Sequence, residues 1–211
     1  MKKLMLLVVL FIAQISFAQI INLGSKFYKA ELTMSNGAVK EGYAEPVSVH
    51  KSSINFKPTK DGKKEIIELT KLEKVHYYDE KEGREAIAER LLANNGDYKS
   101  EAFLYLIELG EISLYSQTSA FYIITNKTMI RREADISYFF RYKDEKDVTL
   151  ITMKFEGGIG IPIGLKKFTK KAIKDFFSDK CPKLVTAYEN DEIKFKKDVS
   201  VFIDYYEKNC K

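Results

Sequence analysis

Histidine is the side chain most often used for catalysis and metal binding near neutral pH, and the chain has two, His50 and His76. They are far apart in sequence, and neither stands at the spacing of a metal-binding motif. Each lies within or beside a segment with strand character, so we expect each to be a structural or surface histidine. A two-histidine metal site would require the fold to bring them together. The sequence therefore predicts no metal ligand and no cofactor.

Nucleophiles and carboxylates give no catalytic signature either. The chain has no Gly-x-Ser-x-Gly elbow, and both cysteines are remote in sequence from the histidines, unlike a papain-like pair. Glu108 and Glu111 flank a turn, and two carboxylates at the right separation can carry out acid/base hydrolysis. Because the chain has 30 acidic residues, such a pair is expected by chance. No catalytic residue is predicted.

A glycine-rich segment at 156–164 invites comparison with phosphate-binding loops. Its glycine spacing does not fit a dinucleotide loop, Pro162 interrupts it, and no Lys-Ser/Thr pair follows for a nucleoside triphosphate. The segment is instead predicted to be a loop that joins the last strand to a group of C-terminal helices.

The N-terminus has the organisation of a cleavable secretory signal peptide. Two lysines follow Met1, an apolar run covers residues 4–13, and small residues, Ser16 and Ala18, occupy the two positions that signal peptidase recognises. Cleavage is predicted between Ala18 and Gln19. The apolar run is about half of the roughly 20 residues that a membrane-spanning helix needs, which argues against an uncleaved anchor. We therefore expect a periplasmic or secreted mature chain without a membrane span.

Composition restricts the partners of this mature chain. Removing residues 1–18 takes two lysines from 35 basic residues, which leaves 33 against 30 acidic residues and a net charge of +3. The charges are intermixed without basic blocks, so no nucleic-acid partner is expected. With 13 Tyr, 14 Phe and no Trp, sugar binding on stacked indoles is excluded. Sheet edges or tyrosine-bearing faces are the surfaces expected to bind a protein or a cell-envelope component.

Alternating apolar residues and turn signals predict a mainly antiparallel β body over residues 19–165. Residues 26–78 are expected to form a meander that rolls into a partial barrel, and further hairpins follow it. The predicted strands lie at 27–34, 39–44, 53–57, 65–69, 74–78, 102–108, 112–115, 120–125, 135–141 and 148–155.

One helix is predicted inside this body, over residues 80–92. Asp79 is a suitable N-cap for it, and an Asn-Asn-Gly sequence follows as a stop signal. Ile87, Leu91 and Leu92 fall on one side of this helix.

After Gly164 the hydrophobic period becomes that of helices. About three helices are predicted in the tail 166–211: one near 168–177, one that begins at Pro182, and one with an apolar stripe at 199–206. No linker separates the tail from the body, so the two should pack together. The expected fold class is therefore α+β, a mainly antiparallel β body closed by a C-terminal helical tail.

Both cysteines, Cys181 and Cys210, lie in this tail. An exported chain meets an oxidising compartment, and two cysteines leave one intramolecular pairing. Antiparallel packing of the second and third predicted helices would bring Cys181 and Cys210 together, so we predict a structural disulfide between them. Two free thiols or an intermolecular link are the alternatives.

The order of these features resembles that of a group of uncharacterised exported proteins of Bacteroidota. The shared motifs are an early hairpin turn with glycine, a G-x-x-x-LY strand at 110–115, and an FF-x-D-x-CP-x-L ending at 176–184, followed by a Tyr-Tyr helix and the final Cys210. The resemblance implies export and a β-rich body with a helical tail. Because the group has no assigned activity, it implies no site residues.

Two functions from different classes remain. The first is a non-catalytic exported or periplasmic protein that binds a protein, a peptide or a surface polymer. The alternative is a carboxylate-based acid/base hydrolase in the periplasm or outside the cell, because Asp and Glu are the catalytic side chains in good supply. The missing catalytic signatures favour the first function. A pocket containing two carboxylates of strongly raised pKa would favour the second.

Overall fold

The structure is a computed structural model that describes residues 27–80, 83–119, 122–125, 128–131, 135–154, 164–194 and 198–211. The predicted signal peptide, with its cleavage site between Ala18 and Gln19, lies outside the described residues. Segment 156–163 of the predicted glycine-rich loop lies outside them as well. Both interpretations stay predictions.

The described residues form twelve strands, three α-helices and one short 3₁₀ helix at Leu69–Lys71. The strands are β1 (Tyr28–Met34), β2 (Val39–Ala44), β3 (Ser53–Lys57), β4 (Glu65–Glu68), β5 (Leu72–Asp79), β6 (Arg84–Asn94), β7 (Lys99–Glu108), β8 (Ile112–Ser119), β9 (Tyr122–Thr125), β10 (Thr128–Arg131), β11 (Asp135–Tyr142) and β12 (Val148–Lys154). The α-helices are α1 (Leu165–Phe177), α2 (Pro182–Glu189) and α3 (Val201–Asn209). None of these helices has the length and apolar character needed to cross a membrane. The α+β fold class and the helical tail are confirmed.

Ten strands form one sheet in the order β12-β11-β8-β7-β6-β5-β1-β2-β3-β4, and its neighbours pair in antiparallel fashion. In addition, β12 pairs in parallel with β6, through Val148 with Ala93 and Thr149 with Asn94. This extra pairing closes β6, β7, β8, β11 and β12 into a ring of five strands. β5 returns to pair with β1, which gathers the first five strands around a common core; we call β1 to β5, with the adjoining first half of β6, the N-terminal sheet. β9 and β10 form a separate hairpin.

Three buried clusters hold these elements together. The N-terminal core, inside the first strands, contains Ala30, Leu32, Ala44, Val47, Ile54, Phe56, Ile67, Leu72, Val75, Tyr77, Ala88 and Phe103. The ring core takes one residue from each strand of the ring: Ala93, Leu104, Tyr115, Phe139 and Val148. The tail core lies between the ring and the helices and includes Phe140, Tyr142, Ile151, Ile173, Phe177, Phe202 and Ile203.

β6 and β7 serve both the N-terminal core and the ring core, because successive side chains of a strand point to opposite faces. On β6, Ala88 is in the N-terminal core and Ala93 is in the ring core. Phe103 and Leu104 of β7 divide in the same way. The outer face of the N-terminal sheet is therefore continuous with the inside of the ring.

The helix predicted over residues 80–92 is wrong, because Arg84–Asn94 is strand β6 and pairs with β5 on one side and β7 on the other. Its Glu, Ala, Arg and Leu residues favour helices by only about 0.5 kcal/mol each or less. Pairing on both edges, with Ala88 and Ala93 buried on opposite faces, outweighs that preference. Ile87 and Leu91 share one face of the strand with Glu89, which lies between them. The spacing of these two residues is therefore compatible with either a helix or a strand.

Aromatic side chains fix the helices on the ring. Phe140 of β11 makes edge-on contacts with Phe176, Phe177 and Phe202, at distances between ring centres of 5.7, 6.1 and 6.5 Å. Tyr142 stacks on Phe176 at 4.5 Å, with ring planes 3° apart. Each such contact contributes about 0.5–1.5 kcal/mol beyond the burial of apolar area. The tail is thus packed against the ring by specific contacts.

A disulfide joins Cys181 to Cys210, whose Cα atoms are 5.6 Å apart, and this confirms the predicted pairing. Pro182 follows Cys181 as the first residue of α2, where its fixed φ suits a helix start. α3 ends at Asn209, directly before Cys210. The bridge therefore ties the start of α2 to the end of α3, and Cys181 is part of the tail core.

Candidate functional site

The structure gives the two histidines different surroundings. His50 lies in the loop between β2 and β3, where its backbone N–H donates to Ser48 Oγ at 3.4 Å. His76 lies on β5, directly opposite Glu31 of β1 and Ile87 of β6. Within the described ranges, no group of three or more His, Cys, Asp or Glu side chains is arranged to hold a metal ion.

His76 is held between two polar side chains. Its Nδ1 is 2.8 Å from the hydroxyl oxygen of Tyr78, and its Nε2 is 2.9 Å from Glu85 Oε2. An ionised carboxylate only accepts hydrogen bonds, so Nε2 donates to Glu85. The strands explain the arrangement, because Tyr78 is two residues from His76 on β5 and directly opposite Glu85 on β6. We call these three side chains the His76 network.

The His76 network lies on the outer face of the N-terminal sheet. Val75 and Tyr77, the alternate residues of β5, point into the N-terminal core. The side chain of His76 is 22% exposed and that of Glu85 is 60% exposed. The network is therefore ordered by hydrogen bonds, with His76 partly buried and Glu85 accessible to solvent.

Carboxylates surround the hydroxyl end of the His76 network. Glu31 lies directly opposite His76, and Glu41 of β2 lies opposite Glu31, so the three residues form a row across the sheet. Desolvation raises the pKa of Tyr78, and the negative charges of Glu31, Glu85 and Glu41 raise it further. The hydroxyl of Tyr78 therefore stays protonated. The carboxylates give this part of the face a negative charge.

A second polar cluster lies on the same face, where the ring begins. Glu89 of β6 accepts a hydrogen bond from the Tyr115 hydroxyl at 3.0 Å through Oε2, and its Oε1 is 3.7 Å from Lys74 Nζ. The guanidinium of Arg141 lies 5.0 Å from the centre of the Tyr115 ring, and its Nη2 is 3.9 Å from Glu89 Oε2. We call these four side chains the junction cluster.

The junction cluster connects the N-terminal sheet to the ring. Its members come from β5, β6, β8 and β11, and Tyr115 also belongs to the ring core. Burial raises the pKa of Tyr115, and the charge of Glu89 raises it further, so its hydroxyl remains a donor. Arg141 Nε is buried without a hydrogen-bond partner in the described part of the chain, which is uncommon for a buried polar atom. Tyr115 is buried, Glu89 and Arg141 are about one-fifth exposed, and the cluster joins four strands, which favours a structural role.

The carboxylate pair considered from the sequence has a different setting in the structure. Glu108, at the end of β7, has a pKa that burial raises and that the charges of Asp204, Glu207 and Asp198 raise further. These three carboxylates belong to the tail, in and beside α3, whereas Glu111 lies in the turn before β8. A carboxyl group of raised pKa among other carboxylates is a feature that acid/base sites share with structural clusters of carboxylates.

Sequence reasoning singled out His76 but missed Tyr78 and Glu85 as its partners. The wrong helix over residues 80–92 placed Glu85 outside the sheet. A hairpin formed by β5 and β6 puts Tyr78 directly opposite Glu85, and cross-strand neighbours of this kind interact. The residues of β6 do not alternate between apolar and polar, so the sequence carried no period-two signal for this pairing.

No family of known proteins, no curated protein and no solved structure matches this chain. The function of the His76 network therefore has to be argued from its own geometry and charge.

Proposed function

We propose that this is an exported, non-catalytic protein that binds another protein, a peptide or a surface polymer through the His76 network. The observation that carries the proposal is that two hydrogen bonds hold the accessible side chains of Tyr78, His76 and Glu85 in one arrangement. Side chains that are ordered before binding lose less conformational entropy when a partner arrives. The network is thus suited to recognition.

Three observations support export. The first 18 residues have the organisation of a signal peptide, the disulfide between Cys181 and Cys210 suits an oxidising compartment, and the motif order resembles exported proteins of Bacteroidota. The mature protein would then begin at Gln19. N-terminal sequencing of the protein recovered from its host tests this, and a chain that still carries residues 1–18 would contradict cleavage.

The electrostatics of the His76 network favour binding over nucleophilic catalysis. A tyrosine nucleophile needs a lowered hydroxyl pKa, whereas desolvation and the charges of Glu31, Glu85 and Glu41 raise the pKa of Tyr78. The same carboxylates attract cationic groups, and the Tyr78 ring offers a face on which a Lys or Arg side chain can lie. Among the three partner classes, these features favour a peptide or protein segment that carries basic residues.

Titration of the mature protein with a lysine octapeptide tests this proposal. We expect binding in isothermal titration calorimetry, and the double variant Glu31→Gln and Glu85→Gln should weaken it about tenfold, since each surface carboxylate contributes up to about 1 kcal/mol. The control variant Asp97→Asn and Glu192→Gln removes the same charge from two exposed positions elsewhere, and it should leave the affinity unchanged.

Two results would contradict the proposal. One is the absence of detectable binding to the lysine octapeptide. The other is a Glu31→Gln and Glu85→Gln variant that binds like the control. Tyr78→Phe keeps the ring but removes the hydrogen bond to His76, so we expect it to weaken binding less than the double variant does.

The hydrolase alternative depends on Glu108, whose pKa is raised by burial and by neighbouring carboxylates. A raised pKa keeps a carboxyl group protonated closer to neutral pH, as a general acid requires. Hydrolysis of envelope polysaccharides or peptides by the mature protein, abolished by Glu108→Gln, would support this alternative. Activity that survives the substitution would contradict it.

A further inference from the structure

α1 has two chemically distinct sides. Its buried side contains Thr169, Ala172, Ile173 and Phe177, of which Ile173 and Phe177 belong to the tail core. All five lysines of the helix are exposed, and we call them the lysine face: Lys166, Lys167, Lys170, Lys171 and Lys174. Side chains three or four positions apart are neighbours on a helix, so these charges form one strip about 12 Å long.

Most of the charge of the lysine face is not compensated within the chain. Lys170 Nζ lies 3.4 Å from Glu189, and the other four lysines have no carboxylate partner among the residues whose placement is described. Four lysines of the sheet, by contrast, have carboxylate partners: Lys29, Lys40, Lys74 and Lys99. Lys40, for example, pairs with Glu65 at 3.1 Å.

The start of α1 concentrates this uncompensated charge. Its first turn contains Lys166 and Lys167 and no acidic residue, and Gly164 at the N-cap has no side chain to accept a hydrogen bond. The N-terminal end of a helix itself carries a partial positive charge of about half an elementary charge. Lysines at this end are repelled by the helix dipole, which destabilises α1 when no anion is bound. A bound anion would offset this repulsion.

We propose that the lysine face is a docking surface for a linear polyanion, specifically an anionic polysaccharide outside the cell. Lysines four positions apart are separated by about 6 Å along the helix, which suits an extended chain with regularly repeated charges better than one compact anion. Lysine ammonium groups act as hydrated point charges, so the affinity should follow charge density and decrease with salt.

A lipid bilayer fits the lysine face less well. Interfacial helices bury their apolar side in lipid, whereas Ile173 and Phe177 of α1 are buried in the tail core. The choice of a polysaccharide among polyanions rests on the exported location in the proposed function. The surface itself is separate from the His76 network, so loss of one binding activity leaves the other measurable.

Binding of heparin, a sulfated polysaccharide, to the mature disulfide-bonded protein tests this inference. We expect affinity that falls steeply between about 0.05 and 0.3 M salt. The triple variant Lys166→Gln, Lys170→Gln and Lys174→Gln should bind at least about tenfold more weakly, because each lysine near an anionic surface contributes on the order of 1 kcal/mol. Thermal unfolding and circular dichroism establish that this variant is folded.

The control for this experiment removes the same charge from exposed lysines outside α1. The control substitutions are Lys60→Gln, Lys63→Gln and Lys146→Gln. This variant should bind heparin within about twofold of the unsubstituted protein if the lysine face, rather than net charge, carries the binding. Equal weakening by the two variants, or none by the α1 variant, would overturn the inference.

Other occupants are distinguished in the same assay. Double-stranded DNA or anionic phosphatidylglycerol vesicles that bind as tightly as heparin, and that lose binding in the α1 variant, would overturn the polysaccharide assignment. Salt-sensitive self-association without heparin, abolished by the same substitutions, would make a second copy of the chain the occupant instead. The inference is supported if heparin binds more tightly than DNA and the vesicles do, and if only the α1 variant loses heparin binding.

Discussion

The N-terminal sheet and the C-terminal ring with its helices are stabilised in different ways. The ring is closed by strand pairing, covered by an aromatic cluster around Phe140, and attached to helices that a disulfide joins. The N-terminal sheet ends at β4, which pairs only with β3 among the described strands, and Ile66 on this strand is 74% exposed. The C-terminal half is therefore the more constrained of the two.

This difference indicates why the His76 network lies in the N-terminal half. Binding groups must be accessible, and they are drawn from the less constrained parts of a protein. β6 shows both conditions on one strand. The side chain of Glu85 in the His76 network is 60% exposed, whereas that of Glu89, four residues later, is 22% exposed and accepts a hydrogen bond from Tyr115 where the ring begins. Distance from the ring thus separates the cluster proposed for recognition from the one that joins the strands of the ring.

The largest effect is expected from Phe140→Ala in the tail core. The substitution removes contacts with Phe176, Phe177 and Phe202, and we expect the free energy of unfolding to fall by about 3–5 kcal/mol. Urea denaturation measures the change. Phe56→Ala in the N-terminal core is the comparison, and it should destabilise less because the aromatic cluster is concentrated in the tail core. A larger destabilisation by Phe56→Ala than by Phe140→Ala would contradict the conclusion that the C-terminal half is the more constrained.

Loss of the disulfide should have the next largest effect, and it should be confined to the tail. Its cysteines are 29 residues apart, and the chain-entropy account gives a stabilisation of about 3–4 kcal/mol for a loop of this size. With Cys181→Ser and Cys210→Ser, hydrogen exchange should show faster amide exchange in α2 and α3 and little change in β1 to β5. Equal acceleration in both halves would mean that the protein opens only as a single unit.

Tyr77→Phe should cause a smaller loss in the N-terminal core. The Tyr77 hydroxyl accepts from the backbone N–H of Val47 and donates to the carbonyl of Glu45, both at 3.1 Å. Removing it leaves a buried amide unpaired, which should lower the free energy of unfolding by about 1–3 kcal/mol. Urea denaturation tests this, with Tyr98→Phe at an exposed position as the control. If both substitutions leave the free energy of unfolding unchanged, the Tyr77 hydroxyl does not stabilise the loop between β2 and β3.

Turn residues, helix starts and hydrophobic periodicity predicted most of the strands and the tail helices, because these elements are determined by residues close together in sequence. Pro182 marks the start of α2, and the tail helices follow their apolar stripes. β6 was missed because its conformation is set by β5 and β7 rather than by its own helix-favouring residues. The site was harder to predict for a related reason. Glu85 meets His76 only through strand register, and the junction cluster requires the ring to close.

The smallest expected effects concern two carboxyl groups, one in each half of the protein. In the N-terminal half, burial acts to raise the pKa of Glu45, but hydrogen bonds from Asn55 and Lys51 and nearby lysine charges lower it overall. In the C-terminal half, burial raises the pKa of Glu108, and neighbouring carboxylates raise it further. The ordinary pKa of both groups is 4.5, so the folded protein shifts them in opposite directions.

Stability should therefore respond to these two groups with opposite signs. The lowered pKa of Glu45 gives a stabilising contribution that is present above about pH 4.5 and is lost as the pH falls through its folded-state pKa. The raised pKa of Glu108 gives a contribution that is present below about pH 4.5 and is lost as the pH rises through its folded-state pKa. In urea denaturation near pH 7, Glu45→Gln should thus lower the free energy of unfolding and Glu108→Gln should raise it. Both differences should shrink towards about pH 3, where carboxyl groups become protonated, and the exposed control Asp97→Asn should show neither. Changes of the same sign would show that the two halves do not differ in how they hold their carboxylates.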